Sequence, residues 1–307
     1  MSEARWFGLA AGLALMAVPA LAQQDFSKVE MKVVPVSGNI YMLQGAGGNI
    51  GVSAGPDGIL IVDDQYAPLA DKIRAALKGI NPGKLKFVVN THWHGDHTGG
   101  NATFGPEAPV IAQENVRKRL STEQHVMGES VPASPAEALP VITFENAVSV
   151  HFNGEEIKAV HYPHGHTDGD SVIFFTRSNV VHMGDDFFRG RFPFVDLGSG
   201  GSVQGMAENV AKVLAKIPSD AKVIPGHGDL ATVDDLRAFH KMLVDTTAIV
   251  QKQIKAGKTM EQAQAAGLPD QWKEWGSGFM KTDRWIATVY ESLKKMTPKP
   301  GEDKTHH

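Results

Sequence analysis

The sequence predicts a layered α/β domain. Short apolar runs rich in β-branched residues alternate with stretches of helical periodicity, and Gly- or Asn-containing turns punctuate them. At 307 residues and 42% hydrophobic content the chain can bury a large core, and length alone allows one or two domains. Taken in order, Val29 to Val36, Ile40 to Leu43 and Ile50 to Ser53 read as strands, with Gln44 to Asn49 as a flexible hairpin tip. Gly58 to Asp63 is a further apolar strand. A helix follows: Pro68 suits its first turn, Leu69, Ile73, Ala76 and Leu77 share one face, and Gly79 ends it. A strand containing Phe87-Val88-Val89 comes next. Residues 121–140 carry Gly128, Pro132, Pro135 and Pro140 with little periodicity and read as a long surface loop. Strands return near 148–160, 172–176 and 180–183. Met206, Val210, Val213, Leu214 and Ile217 form the stripe of one helix, and Leu236, Phe239, Leu243, Val250 and Ile254 that of another over about 233–256. The tail from Thr259 to Lys295 adds one or two helices whose Trp272, Trp275 and Trp285 read as packing anchors.

The densest chemistry is His92-Trp93-His94-Gly95-Asp96-His97. Imidazole nitrogens and carboxylates are zinc donors, and a loop leaving a strand end can aim them rigidly into one cleft. His92 and His94 point the same way if the backbone stays extended. Asp96 and His97 then turn toward a second position, so the spacing suggests two metals.

Other segments extend the pattern. Asp63 ends an apolar strand; Gly165-His166-Thr167, Gly184-Asp185 and Gly226-His227-Gly228 each follow apolar segments. Together with the His-X-His-X-Asp-His run, these motifs resemble those of the metallo-β-lactamase superfamily over roughly residues 30 to 240. The resemblance implies a four-layer αβ/βα sandwich with the metal site at one edge of two packed sheets. It places that domain at 23–257, with 258–307 as a helical extension packed on it. It also implies two Zn²⁺ per chain: His92, His94 and His166 hold the first, Asp96, His97 and His227 the second, and Asp185 bridges them. Asp96 and Asp185 are then the catalytic carboxylates, offsetting the repulsion between two dications, with a bridging hydroxide as nucleophile. Asp186 is the rival to Asp185, and His161 and His164 are the rivals to His166. Asp63 reads as a buried orienting group, with Thr91 and Thr167 able to play similar parts. Arg189 and Arg191 could supply a cation for an anionic substrate. His125, His151, His182 and His240 read as ordinary core or surface histidines.

The implied reaction is hydrolysis of a carbonyl compound. β-Lactam hydrolysis in the periplasm is the leading expectation. A lactone, ester or thioester hydrolase of the glyoxalase II-like branch is the alternative, and a periplasmic metal-binding accessory protein without hydrolytic duty is a third reading. Aspartate at 185, where the best-known periplasmic β-lactamases often carry cysteine, argues against the commonest of those enzymes. Periplasmic location rests on the N-terminus: Arg5, the apolar stretch Trp6 to Val18 and Ala20-Leu21-Ala22 read as a signal peptide, cleaved after residue 22. The partner expected is a small-molecule substrate, with no membrane attachment after cleavage. A net charge of −4 advertises no nucleic acid, and Arg117-Lys118-Arg119 reads as the solvated face of a helix. The absence of cysteine excludes disulfides and thiolate ligands. Nothing in the sequence points to an oligomeric state.

Overall fold

The computed structural model describes residues 25–296, so the expected signal segment lies outside the described residues. Its strands are β1 (Lys32–Ser37), β2 (Ile40–Gln44), β3 (Ile50–Gly55), β4 (Gly58–Val62), β5 (Leu85–Val89), β6 (Val110–Gln113), β7 (Gln124–Val126), β8 (Glu129–Val131), β9 (Ile142–Phe144), β10 (Ala147–Phe152), β11 (Glu155–His161), β12 (Ser171–Phe175), β13 (Val180–His182), β14 (Lys222–Ile224) and β15 (Ala231–Thr232). The helices are α1 (Ala70–Ile80), α2 (Gly95–Thr98), α3 (Asn101–Phe104), α4 (Glu114–Leu120), α5 (Val203–Leu214), α6 (Val233–Lys255), α7 (Met260–Ala266) and α8 (Thr282–Met296).

One sheet runs β1-β2-β3-β4-β5-β6-β9 and the other β10-β11-β12-β13-β14-β15. Period-two alternation sorts the side chains into layers. In β4, Leu60 and Val62 face the second sheet, where they meet Ile157, Ile173, Phe175 and Ile224. Ile59 and Ile61 face the other way, onto Leu69, Ile73 and Leu77 of the α1 region. In the second sheet, Val172, Val181 and Val223 pack outward against Met206 and Val210 of α5, Phe239 and Leu243 of α6 and Trp285 of α8. The order is therefore helix, sheet, sheet, helix, as expected. Residues after α6 fold back onto the same outer layer: α8 contacts both α5 and α6, and Trp285 Nε1 donates to Thr246 Oγ1 at 3.1 Å.

Several expectations are corrected. β1 starts at Lys32 because Phe26–Lys28 form a 3₁₀ turn. The helix expected to end at Gly79 runs through Ile80 and is closed by Asn81. The 121–140 segment is not a plain loop: β7 and β8 pair as a hairpin through Met127 and Gly128, both at positive φ. The supposedly flexible tip at 44–49 is tied down. Asn49 N donates to Gly226 O at 2.7 Å, and Asn49 Nδ2 donates to Pro225 O and Gly228 O. Among the described residues no helix is long and apolar enough to cross a membrane.

What positions the site is strand polarity. β4 and β5 are parallel neighbours in one sheet, and β13 and β14 in the other. Their carboxyl ends deliver Asp63, His92 and its neighbours, Asp185 and His227 to one edge, where ligand crevices form in such sheets.

Candidate metal centre

β4 leads directly into Asp63, a fully buried residue at φ 64°. This left-handed turn swings its carboxylate beneath the loop that follows β5: Oδ1 accepts from Thr91 N and Oδ2 from Thr91 Oγ1, each at 2.8 Å. The same Oδ2 accepts from His97 Nδ1 at 2.7 Å. After β13 the chain turns at Gly184, with φ 51°, and a Cβ there would lie 2.8 Å from Thr91 Cβ. Glycine thus lets the ends of the two sheets touch.

The predicted residues converge into overlapping groups. The ligand-capable atoms of His92, His94 and His166 lie within 4.8 Å of one another, as do those of His92, His97 and Asp185, and those of Asp96, His97 and His227. Asp185 faces both ends of the cluster. Its Oδ2 is 3.5 Å from His166 Nε2 and 3.4 Å from His227 Nε2, and its Oδ1 is 3.1 Å from His97 Nε2. Asp96 Oδ2 is 3.3 Å from His227 Nε2.

The hydrogen bonds around the rings decide which nitrogens face inward. His94 Nε2–H donates to Asp196 Oδ2 at 3.0 Å, and His166 Nδ1–H donates to Phe194 O at 2.8 Å. Thr91 Oγ1 spends its proton on Asp63, so it accepts from His92 Nδ1–H at 3.0 Å. The remaining nitrogens point into the cluster. His94 Nδ1 and His166 Nε2 stand 2.8 Å apart, and two such atoms must share a proton or a cation. His92 Nε2 is buried with no hydrogen-bond partner among the described residues. A buried lone pair without a donor is costly, and a metal ion satisfies all of these atoms together. The donor set therefore fits zinc.

Charge divides the cluster. Burial holds the His92 pKa well below the usual imidazole value and that of His166 down at about 4, so both are neutral near pH 7. At His97 and His227 burial also opposes charge but is outweighed, chiefly by Asp185 and then Asp96. His97 rises well above the usual value and His227 to about 9. Burial likewise opposes ionisation of Asp185, yet the neighbouring His227, His97 and His166 hold it well below the usual carboxylate range. Asp96 falls to about 2, with His97 and His227 overcoming burial.

The rivals lie elsewhere. Asp186 Oδ1 accepts from His166 N at 3.1 Å, and burial pushes this carboxyl up to about 7. His161 Nδ1 donates to Asp170 O, and His164, at φ 58°, donates from Nδ1 to Gly200 O. Thr167 binds Asp170 and makes no hydrogen bond to a ring of the cluster among the described residues. His182 is more than an ordinary core residue: it is fully buried, donates to Asn49 O from Nε2 and accepts from Gly184 N at Nδ1. It braces the 44–49 segment against the end of β13. That segment presses on the site, since a Cβ on Gly48 would lie 2.1 Å from His97 Cε1. Sequence reasoning missed Asp196, which holds His94 and also accepts from Gly198 N and Ser199 N. The only local signal was the Asp-Leu-Gly-Ser pattern of a turn cap.

Above the cluster opens a cleft of about 630 Å³. Asp96, Asp185, His94 and His227 form its floor, and Trp93, Phe188 and Phe194 stand in its walls. Arg191 lines it, whereas Arg189 turns away to donate to Leu230 O at 2.9 Å and to pair with Asp235. The 121–140 segment borders the cleft through Val126, Met127 and Val131.

Comparison with known proteins places this geometry. An uncharacterized protein of Aquifex aeolicus (strain VF5) is 29% identical over 174 residues, covering 56% of this chain and 80% of that one. A hydroxyacylglutathione hydrolase of Prochlorococcus marinus (strain NATL1A) is 26% identical over 56% of this chain and 64% of its own length. A metallo-beta-lactamase type 2 of Bacteroides fragilis is 22% identical over 56% of this chain and 69% of its own length. Among solved structures, the DIM-1 metallo-beta-lactamase superposes with a TM-score of 0.58 at 19% identity, over 71% of this chain and 99% of that one, and shares the fold. The family model of the metallo-beta-lactamase superfamily matches residues 33–229, a span that holds every ligand candidate named above, and the chain belongs to that superfamily.

Proposed function

We propose that the chain is a two-zinc hydrolase acting on a small carbonyl substrate after export to the periplasm, with a β-lactam amide as the first candidate. The observation that carries this reading is the set of inward nitrogens: His92 Nε2 buried without a partner, and His94 Nδ1 facing His166 Nε2 at 2.8 Å, directly below an open cleft. His92, His94 and His166 would hold one zinc, Asp96, His97 and His227 the other, with Asp185 facing both. Zinc bound there supplies a Lewis acid for the carbonyl oxygen and water that ionises near neutral pH.

The chain's own residues do the rest. Asp63 and Asp196 fix the rings of His97 and His94 by accepting their outward N–H groups, which keeps the inward nitrogens as lone pairs. Asp185 and Asp96 supply the negative charge that makes a doubly cationic site affordable. Asp96 is partly open to the cleft and sits where it can orient the attacking water through Oδ2. Trp93, Phe188 and Phe194 exclude bulk water from the carbonyl.

A relative named metallo-beta-lactamase supports the lactam reading. Aspartate at 185 and relatives named hydroxyacylglutathione hydrolase support a second: a lactone, ester or thioester substrate on the same geometry. The deciding experiment is steady-state hydrolysis of a chromogenic cephalosporin by the zinc-loaded chain, beside a chelated sample and His94→Ala. A kcat/KM above about 10⁴ M⁻¹s⁻¹ that both controls abolish supports the lactam reading. Turnover orders of magnitude lower, with zinc bound, moves the assignment to the second reading. No turnover of lactams, lactones, esters or thioesters leaves a metal-binding accessory role.

A further inference from the structure

The wall of the cleft is chemically uneven. Arg191 is the only lysine or arginine among its lining residues. Unlike Arg189, it has no hydrogen bond or ion pair among the described residues. Its place is nevertheless built. Next to it, Phe192 N donates to Trp275 O at 2.9 Å, and the Phe192 ring stacks on Trp285 at 5.4 Å. The C-terminal extension thus fixes the segment that carries the guanidinium, and Gly278 of that extension lies against the Arg191 stem.

Above the floor of Asp96, Asp185, His94 and His227 the lining is otherwise mostly apolar, and at the mouth it is exposed. Met127 is 50% exposed, Val131 37% and Phe279 62%. These side chains come from two separate elements, the β7–β8 hairpin and the loop before α8, and flank one opening. Met127 also sits at φ 55° in the hairpin turn, a position where Gly, Asn or Asp is the unstrained choice. An exposed apolar side chain held in a disfavoured backbone conformation is retained at some cost, as at ligand clamps. Phe279 and Met280 lie beyond the segment that matches the family model, so this jaw is supplied by the chain's own extension.

We propose that the cleft selects an anionic amphiphile: a carbonyl substrate with one negatively charged group paired by Arg191, and one bulky apolar group gripped between Met127 and Phe279. A tripeptide thioester with two carboxylates and an ammonium finds one cation and a largely apolar wall here, and is a poor match. As a statement about substrate this rests on the hydrolase reading, but the binding it requires does not.

The test uses the zinc-loaded full chain and three small probes: 4-phenylbutyrate, its neutral amide, and butyrate. Binding is read by calorimetry, with zinc content measured for every variant. 4-Phenylbutyrate is expected to bind about tenfold tighter than either comparison probe, a margin typical of one charge-assisted contact or one buried ring. Arg191→Met should erase the acid-over-amide margin, and Arg191→Lys should restore most of it. Phe279→Ser and Met127→Ser should remove the phenyl margin and leave the acid-over-amide margin in place. The proposal is overturned if that margin survives Arg191→Met, which would assign it to the zinc ions, or if butyrate binds as tightly as 4-phenylbutyrate. Loss of binding in Arg191→Met that Arg191→Lys does not repair also overturns it. The expected pattern without turnover of any carbonyl substrate would refute the hydrolase reading alone; turnover without the pattern would refute this one alone.

Discussion

Replacing Asp63 with asparagine isolates the group that sets the ring orientation of His97. Asparagine tolerates the left-handed backbone at φ 64°, so the turn itself should survive. The carboxylate accepts three hydrogen bonds, from Thr91 N, Thr91 Oγ1 and His97 Nδ1. An amide keeps one oxygen, which can still serve Thr91 N. Its NH₂ then faces Thr91 Oγ1 and His97 Nδ1. The threonine hydroxyl can turn and accept, but His97 must expose a lone pair at Nδ1, which moves its proton to Nε2 and into the cluster. Nε2 is the atom that stands 3.1 Å from Asp185 Oδ1 and would hold the second metal. Changing an orienting group of this kind costs about 10–100-fold in metal affinity, or roughly 1.4–2.7 kcal/mol. The assay is a zinc titration against a chromophoric chelator. The expected result is one strongly weakened site beside one less affected, because His94 and His166 are held by Asp196 and Phe194 and only His92 senses Asp63, indirectly through Thr91 Oγ1. Two sites of wild-type affinity in Asp63→Asn would refute the tautomer argument, and equal weakening of both would refute the division of the cluster.

Two further outcomes follow from the same geometry. Gly48→Ala places a methyl 2.1 Å from His97 Cε1, so either the ring or the braced 44–49 segment must move; the variant should fold, lose at least tenfold in affinity at the second zinc, and retain the first, as read by the same titration. Zinc and protons compete for the inward nitrogens, so affinity falls as pH falls. His97 and His227 are both raised, His227 to about 9, so the second site should lose up to about two decades per pH unit where both rings are protonated, while the first site, with His92 lowered and His166 at about 4, should fall less steeply; parallel slopes would refute this.

The residues legible in the sequence share one property: their chemistry is written locally. His92 to His97 crowd one turn after a strand, and Asp63, His166, Asp185 and His227 each sit beside a glycine or at the end of an apolar run. The alternation in β4 likewise gave the layers, because each face of a fully buried strand needs its own partner. Asp196 was illegible because it reaches His94 only after the chain has crossed from one sheet to the other, and locally it is only a cap for the turn that follows. β6 and β9 escaped notice as strands of four and three residues whose pairing is parallel and remote. The β7–β8 hairpin lacks apolar alternation, and its turn places methionine where a turn signal would be sought. The cleft's apolar jaw needed the tail to fold back, which helical periodicity around its tryptophans could not foretell.

The distribution of the ligands between the two sheets has a mechanical consequence. His92, His94, Asp96 and His97 belong to one sheet's edge, and His166, Asp185 and His227 to the other's. In a chain without cysteine no disulfide ties those edges together. Ions held between them would be rivets across the seam of the sandwich, contributing to folding stability in proportion to the logarithm of free zinc over its dissociation constant. Zinc supply would then govern how long the protein persists as well as how fast it works, and starvation for the metal would open the sandwich along that seam to proteolysis.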